Sequence, residues 1–392
     1  MTRSSRADVH FDFATAGRIL FGRGRLAAAA SVAASLGRRA LIVTGRDAAR
    51  AVPFAALLGR EGLGVSFFSV AGEPTVEDAR RGVRAGREAG VDLVVALGGG
   101  SALDAGKAIA ALVRNQGDPL RFLEVVGEGR PLESPGLPCV AIPTTAGTGS
   151  EVTRNAVLVS PEHGVKASLR SPYLLPRLAV VDPALTDSMP PDVTAATGLD
   201  ALTQVLEPFL SRRANPLVDG LCREAIPRAA RSLRRAVADG SDAAARDDLA
   251  FASLCGGLAL ANAGLGAVHG LAAPLGGSFP VPHGVACARL LPLVFAANLR
   301  ALAAREPDSP VLSRFAEAAA LLTGRPDAGA EEGIRWLAAL VEDLRIPSLA
   351  RYGVSAADLP GLASAARKAS SMTANPVVLE EGELAGILAE AL

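Results

Sequence analysis

Through the first half of the chain, short apolar runs alternate with longer amphipathic or Ala-rich stretches. ALIVT at 40–44, VSFFSV at 65–70, LVVAL at 93–97, PCVAIP at 138–143 and LAVVD at 178–182 predict strands. The segments at 25–36, near 52–61 and near 76–89 predict helices. Strands that are apolar throughout and separated by helices predict a parallel sheet covered on both faces. Residues 8–23 alternate around Phe11, Phe13, Ile19 and Phe21, which predicts a small hairpin at the edge of this domain. Beyond Asp182–Pro183 strand-like runs stop. Ala- and Leu-rich text with helical spacing, broken only by Gly and Pro clusters, predicts an all-helical remainder. The division expected is an α/β domain over 1–184 and an all-α domain over 185–392.

Composition narrows the class. The 392 residues are 49% hydrophobic and 20% charged, enough apolar material for two cores. Lys+Arg and Asp+Glu balance at 40 each with no basic run, so neither nucleic acid nor an anionic membrane is an expected partner. No uninterrupted apolar run reaches the length of a membrane span, and MTRSSRADVHFDF carries charge without an apolar region after it. Cys139, Cys222, Cys255 and Cys287 are far apart in apolar surroundings, without redox or zinc-ribbon spacing. They read as reduced, buried thiols of a cytoplasmic protein.

Candidate chemistry lies in a few stretches. Gly98, Gly99, Gly100 and Ser101 follow a buried strand and open SALDAGKAIAALV, so backbone N–H groups and a helix N-terminus converge on one spot suited to phosphate. A purely structural glycine turn fits the same letters, and neither GxGxxG nor the Walker lysine spacing is present. Asp104 stands three residues after Ser101, the capping-box offset. IPTTAGTGSEVT, 142–153, places Thr144, Thr145, Thr148 and Thr153 at the expected carboxyl edge of the sheet, where α/β folds bind ligands; ordinary turns use the same residues. Lys166 reads as a solvated surface lysine.

His269 and His283, two of only four histidines, lie in LGAVHGLAAPLGGSFPVPHG. If His269 ends a helix, Pro274, Gly276, Gly277, Pro280 and Pro282 forbid its continuing and the turn brings His283 back; fourteen helical residues would instead hold the pair about 21 Å apart. In GLDALTQVLE, Asp200 and Gln204 stand at i and i+4 on one helical face. An Asp200/Gln204/His269/His283 set suits Zn²⁺ or Fe²⁺, with the amide oxygen a weak ligand. No HExxH or CxxC pattern is present, so spacing alone favours a locally paired Asp200 and structural histidines.

Taken together, GGGSALDAGK, IPTTAGTGSEVT, LAVVDPAL, GLDALTQVLE and VHGLAAPLGGSFPVPHG, in this order and spacing, resemble the iron-containing (group III) alcohol dehydrogenase family over essentially the whole chain. The resemblance implies the dehydroquinate synthase-like fold: an N-terminal α/β dinucleotide-binding domain, an all-α C-terminal domain, and a cleft for NAD or NADP and one divalent metal, Fe²⁺ or Zn²⁺. It implies a homodimer acting on a small alcohol or aldehyde by reversible hydride transfer. Gly98 to Ser101 would then hold the pyrophosphate with Asp104 nearby, the four threonines would line the cofactor path, and Lys166 would meet the nicotinamide-side ribose. Asp200, His269 and His283 match three of four family metal ligands.

This chain departs from the pattern at three places. Gln204 stands where most members have a histidine ligand, and Ala273 where many have a second histidine with a proton-relay role. Gly45–Arg46 stands where NAD-preferring relatives often have Asp, which tilts the expectation toward NADP or dual use unless Arg46 faces solvent and Asp47 supplies the carboxylate. Alternatives are a maleylacetate reductase-like enzyme or a phosphorylated substrate, either needing basic residues such as Arg212, Arg213 and Arg223, and a nucleotide-binding member that has lost metal catalysis.

Overall fold

The computed structural model of the protein describes residues 9–392. The first domain runs β1 (Ile19–Phe21), α1 (Leu26–Ala34), β2 (Arg39–Thr44), α2 (Val52–Arg60), β3 (Gly64–Ser69), α3 (Val76–Glu88), β4 (Leu93–Gly98), α4 (Gly100–Val113), β5 (Cys139–Pro143), β6 (Asn155–Ser160), β7 (Val165–Arg170) and β8 (Leu178–Val181). Six strands form one parallel sheet in the order β1-β8-β5-β4-β2-β3. One face packs Ile42, Val95, Val140 and Val180 beneath α1 and α2; the other packs Val43, Val94 and Ala141 against Leu103 and Ile109 of α4. Strand order reverses between β2 and β4, which opens a crevice at their carboxyl ends.

Two expectations for this domain change. Residues 9–18 form no hairpin partner for β1, which instead pairs in parallel with β8 as an edge strand; residue 8 lies outside the described residues. Asn262 takes the backbone groups of Ala14 that a hairpin would have used: its Oδ1 accepts from Ala14 N at 2.7 Å and its Nδ2 donates to Ala14 O at 3.0 Å. An antiparallel hairpin, β6–β7, is present that the apolar pattern did not predict; its β6 alternates half-buried and buried positions.

The second domain is all helical: α5 (Pro191–Leu210), α6 (Pro216–Ala238), α7 (Ala243–Ala263), α8 (Ala267–Ser278), α9 (His283–Arg305), α10 (Val311–Thr323), α11 (Ala330–Asp343), α12 (Leu359–Arg367) and α13 (Glu381–Glu390). Its core joins Leu202, Phe209, Leu271, Leu291 and Phe315 in one cluster. α9 is long and apolar enough to cross a membrane, but 72% of its most apolar window is buried within this bundle, as in a core helix.

The turn expected directly after His269 is absent. His269 lies in the first turn of α8, which continues through Pro274 to Ser278. An internal proline removes the hydrogen bond to the carbonyl four residues earlier, here Gly270, and tertiary contacts hold the helix regardless. A side chain at Gly270 would meet Met372 Sδ at 2.7 Å, and one at Gly276 would meet Lys166 Nζ at 2.7 Å. These glycines therefore serve close approach and not chain reversal. The break falls at Phe279–Pro282, and α9 starts at His283.

Candidate functional site

The glycine turn after β4 and the threonine loop after β5 meet at the carboxyl edge of the sheet. Gly99 is the N-cap of α4, with Gly100 its first residue, so unpaired N–H groups open onto the crevice. Gly98 allows a tight strand-to-helix passage, since a Cβ there would lie 2.7 Å from Ala102 Cβ. Positions at Gly99 and Gly100 face Thr145 and Thr148, whose side chains would be 3.4 Å and 3.1 Å from an added Cβ. Thr144 is buried, its N–H donating to Gly98 O at 2.9 Å. Ser101 is half-buried in the first turn of α4.

Asp104 is not a helix cap. Its Oδ1 accepts from Ser150 Oγ at 2.5 Å and its Oδ2 from Val157 N at 2.9 Å, tying α4 to the threonine loop and β6. Lys107, which sequence reasoning missed, does the same from a fully buried position. Its Nζ donates to Ser150 O (2.9 Å), Asn155 O (2.6 Å) and Thr153 Oγ1 (3.0 Å), so Thr153 is itself buried under this lysine. The Asp104/Lys107 pair at i and i+3 was its available signal. Lys166, on β7, is mostly buried against Gly276 of α8 and pairs with Glu73 Oε1 at 2.6 Å, not the solvated lysine the sequence predicted.

The crevice continues to Gly45–Arg46. Gly45 N lies 3.4 Å from the position a Gly98 Cβ would take. Arg46 Nη2 donates to Ala71 O at 3.2 Å, and Asp47 Oδ1 accepts from Ala49 N at 3.0 Å as the cap of a short 3₁₀ turn.

Opposite this edge, α5, α8 and α9 bring three predicted residues together. His269 Nε2 is 3.3 Å from Asp200 Oδ1, and His283 Nε2 is 3.9 Å from the same oxygen. The two rings have centroids 5.4 Å apart. Asp200 and His269 are buried, while the His283 side chain is 39% exposed and opens the cluster to solvent. Gln204, one turn after Asp200, donates from Nε2 to Gly147 O at 2.8 Å and so joins α5 to the threonine loop. Ala273 is exposed on α8.

Two residues at this cluster were not anticipated. Glu207 Oε2 lies 2.6 Å from His269 Nδ1, and its Oε1 accepts from Val268 N at 2.7 Å. This carboxylate fixes the ring so that Nε2 faces Asp200; its spacing of seven from Asp200 on one helix was the signal. Cys287 Sγ lies 3.6 Å from His283 Nε2, one helical turn on. The ligand atoms of Asp200, His269, His283 and Cys287 all fall within 4.8 Å of one another.

The electrostatics separate Cys287 from the other thiols. Burial pushes Cys139 and Cys255 up to about 12 and raises Cys222 as well. Burial acts on Cys287 in the same sense, but the His269 and His283 imidazoles outweigh it and hold this thiol below its ordinary value. Its surroundings are thus not the purely apolar ones expected. Burial likewise opposes ionisation of Asp200, and His269 and His283 overcome it. Among the described residues, only three buried side-chain polar atoms lack a hydrogen-bond partner, and Asp200 Oδ1 and His269 Nε2 are two of them. Two orphaned atoms, a carboxylate oxygen and an imidazole nitrogen, converging with a second imidazole fit a divalent cation.

Basic residues are engaged elsewhere. Arg212 bonds Pro376 O and Glu306, Arg213 bonds Thr373 Oγ1, and Arg223 pairs with Glu317.

Comparison with known proteins shows similarity along the whole chain. The chain is 48% identical over 238 residues to long-chain-alcohol dehydrogenase 1 of Geobacillus thermodenitrificans, a match spanning 60% of each protein. It is 39% identical to 1,3-propanediol dehydrogenase of Klebsiella pneumoniae across 91% of this chain and 92% of that one. The solved structure of sulfoacetaldehyde reductase from Bifidobacterium kashiwanohense in complex with NAD⁺ superposes with a TM-score of 0.85 at 27% identity, over 98% of this chain and 99% of that one. Residues 16–183 match the family model for iron-containing alcohol dehydrogenase and residues 194–392 that for the C-terminal part of the same family. With a parallel-sheet domain carrying the glycine turn and a helical domain carrying the Asp200/His269/His283 cluster, this chain belongs to the iron-containing alcohol dehydrogenases, oxidoreductases acting on CH–OH groups.

Proposed function

We propose that the chain catalyses reversible hydride transfer between NAD(P) and a small primary or secondary alcohol, assisted by one divalent metal, Fe²⁺ or Zn²⁺. The observation that carries this reading is the orphaned pair Asp200 Oδ1 and His269 Nε2. Leaving two buried polar atoms unpaired costs roughly 1–3 kcal/mol each, which a cation between them removes. Asp200, His269 and His283 would hold the ion. When bound, the metal supplies Lewis-acid polarisation of the substrate oxygen and the nicotinamide supplies or accepts hydride.

The chain's own residues orient and enclose. Glu207 holds the His269 tautomer. The α4 N-terminus at Gly98–Ser101 takes the pyrophosphate, with Asp104 and Lys107 keeping the threonine loop against it. Thr144, Thr145 and Thr148 form the wall of the cofactor path, Thr153 anchors the loop on Lys107 beneath it, and Lys166 reaches its nicotinamide end. Ala273 offers no proton-transfer group, so protons exchange through water or a ribose hydroxyl. Gly45 and Arg46 beside Gly98, with Asp47 spent on a backbone cap, favour NADP or dual use. Arg212 and Arg223, paired with carboxylates, and Arg213, bonded to Thr373, speak against a phosphorylated substrate.

We place the domain boundary at 184/185, the protein as a homodimer through the β1 edge, and its home in the reducing cytoplasm, where four free buried cysteines are stable. The test is metal content by plasma mass spectrometry, paired with NADPH and NADH oxidation on short aldehydes before and after metal stripping. Near-stoichiometric metal with turnover lost on stripping is expected. Metal-free protein, whether active or inert, would sink the metal-assisted reading.

A further inference from the structure

We propose that Cys287 is the fourth protein ligand of this metal site, and that the resulting Asp200/His269/His283/Cys287 set makes the chain zinc-preferring. The inference rests on the metal-assisted reading above and adds to it the identity of the donor that replaces the missing histidine.

Geometry supplies the first reason. Zinc bonds of about 2.0–2.2 Å to N and O and about 2.3 Å to S, in a tetrahedron, require donor–donor distances of roughly 3.3–3.8 Å. The observed separations are 3.3 Å for His269–Asp200, 3.9 Å for His283–Asp200 and 3.6 Å for His283–Cys287. Two of these separations fall in that range and the third just beyond it, and all four donor atoms lie within 4.8 Å of one another, so a small inward movement closes the shell. His283 and Cys287 are one turn apart on α9, so one rigid helix presents both donors on a single face.

Charge supplies the second. The site is walled by buried residues, where an uncompensated ion is expensive. One carboxylate and one thiolate balance a divalent cation within the shell itself, whereas with the neutral Gln204 amide the balance rests on Glu207, which lies one residue further out behind His269. Gln204 Nε2 holds the carbonyl of Gly147 and keeps the threonine loop on α5, which leaves only its weakly ligating amide oxygen to offer a cation.

Ligand softness then sets the metal. A thiolate favours zinc over the harder ferrous ion, and an O/N/N/S shell matches tetrahedral zinc. Of the four cysteines, only Cys287 has its sulfur among the donor atoms that converge with His269 and His283, so the assignment is specific to it.

The deciding measurement is the zinc K-edge X-ray absorption spectrum of the full-length protein, stripped and reloaded with one equivalent of Zn²⁺. The spectrum is expected to contain one sulfur scatterer at about 2.3 Å. That scatterer disappears in Cys287→Ser and remains in Gln204→Leu. Cobalt substitution gives a parallel readout, a near-ultraviolet sulfur-to-cobalt charge-transfer band in the parent protein and in Gln204→Leu but not in Cys287→Ser. Zinc bound in an oxygen- and nitrogen-only shell would overturn the proposal and leave the metal-assisted reading standing. Failure of the parent protein to take up zinc or cobalt would overturn both. Because the parent spectrum alone decides, the test survives a variant that does not fold.

Discussion

Glu151 has almost no access to water, being 1% exposed in the threonine loop. Burial pushes its carboxyl up to about 7 from an ordinary 4.5, against the pull of its own backbone N–H and of Lys107. Between those pH values the native chain keeps a proton that the unfolded chain has released, so stability falls as pH rises from 4.5 through 7 and then levels. At about 1.4 kcal/mol for each pH unit of displacement, the loss is at most about 3.5 kcal/mol. Glu151→Gln, which keeps the neutral shape, is expected to match the parent in denaturant stability near pH 4.5 and exceed it near pH 8. Identical pH slopes for the two proteins would refute this. Among the site residues, the letters of Asp200, His269 and His283 were readable as a ligand set. The thiol four residues after His283 was not, because a lone cysteine is a common core residue and only the facing imidazoles make it a donor.

Single glycines decide how the elements fit. Gly149 adopts φ +59°, and its backbone approaches α7 so closely that a Cβ on Gly257 would lie 2.1 Å from Gly149 O. Gly257→Ala must push the threonine loop off α7, disturbing Thr145, Thr148 and the Gln204–Gly147 bond. We expect a loss of about 1–3 kcal/mol in urea unfolding and weaker NADPH binding by fluorescence titration. Gly382→Ala, in α13 with open space around it, should instead be neutral or stabilising by up to about 1 kcal/mol. Unchanged cofactor affinity in Gly257→Ala would show that the loop does not depend on this contact. Strand and helix positions followed from periodicity because burial of both sheet faces leaves continuous apolar runs. α8 did not, because Pro274, Gly276 and Gly277 carry the letters of a turn while neighbours press on the helix from outside. β6–β7 was missed because four consecutive apolar letters, Ala156 to Val159, hide the alternation that burial reveals in a six-residue strand.

Across the helical domain as a body, Asp200, His269, His283 and Cys287 draw α5, α8 and α9 to one point, where a bound cation would staple them together. A ligand that binds only the folded state adds about 2.7 kcal/mol at one hundred times its Kd. Chelated protein is therefore expected to melt at a lower temperature than protein reloaded with zinc, by calorimetry, with NADPH failing to restore the difference. Equal melting temperatures would show that the cluster carries no ion in the folded state.

The alternation of strands and helices and the change to an all-helical half near residue 184 could be read from the amino-acid letters, and the candidate nucleotide and metal residues from five short motifs in the order and spacing of a known family. Those features follow from local periodicity and from residue chemistry, both of which are written in consecutive positions. Which of these side chains meet was settled by the folded chain instead. His269 and His283 are brought together by the break at Phe279–Pro282, Glu207 by the crossing of α5 over α8, and Cys287 by the face of α9 turned toward Asp200. Such meetings depend on how helices pack across the core, a long-range property that no short stretch of sequence encodes.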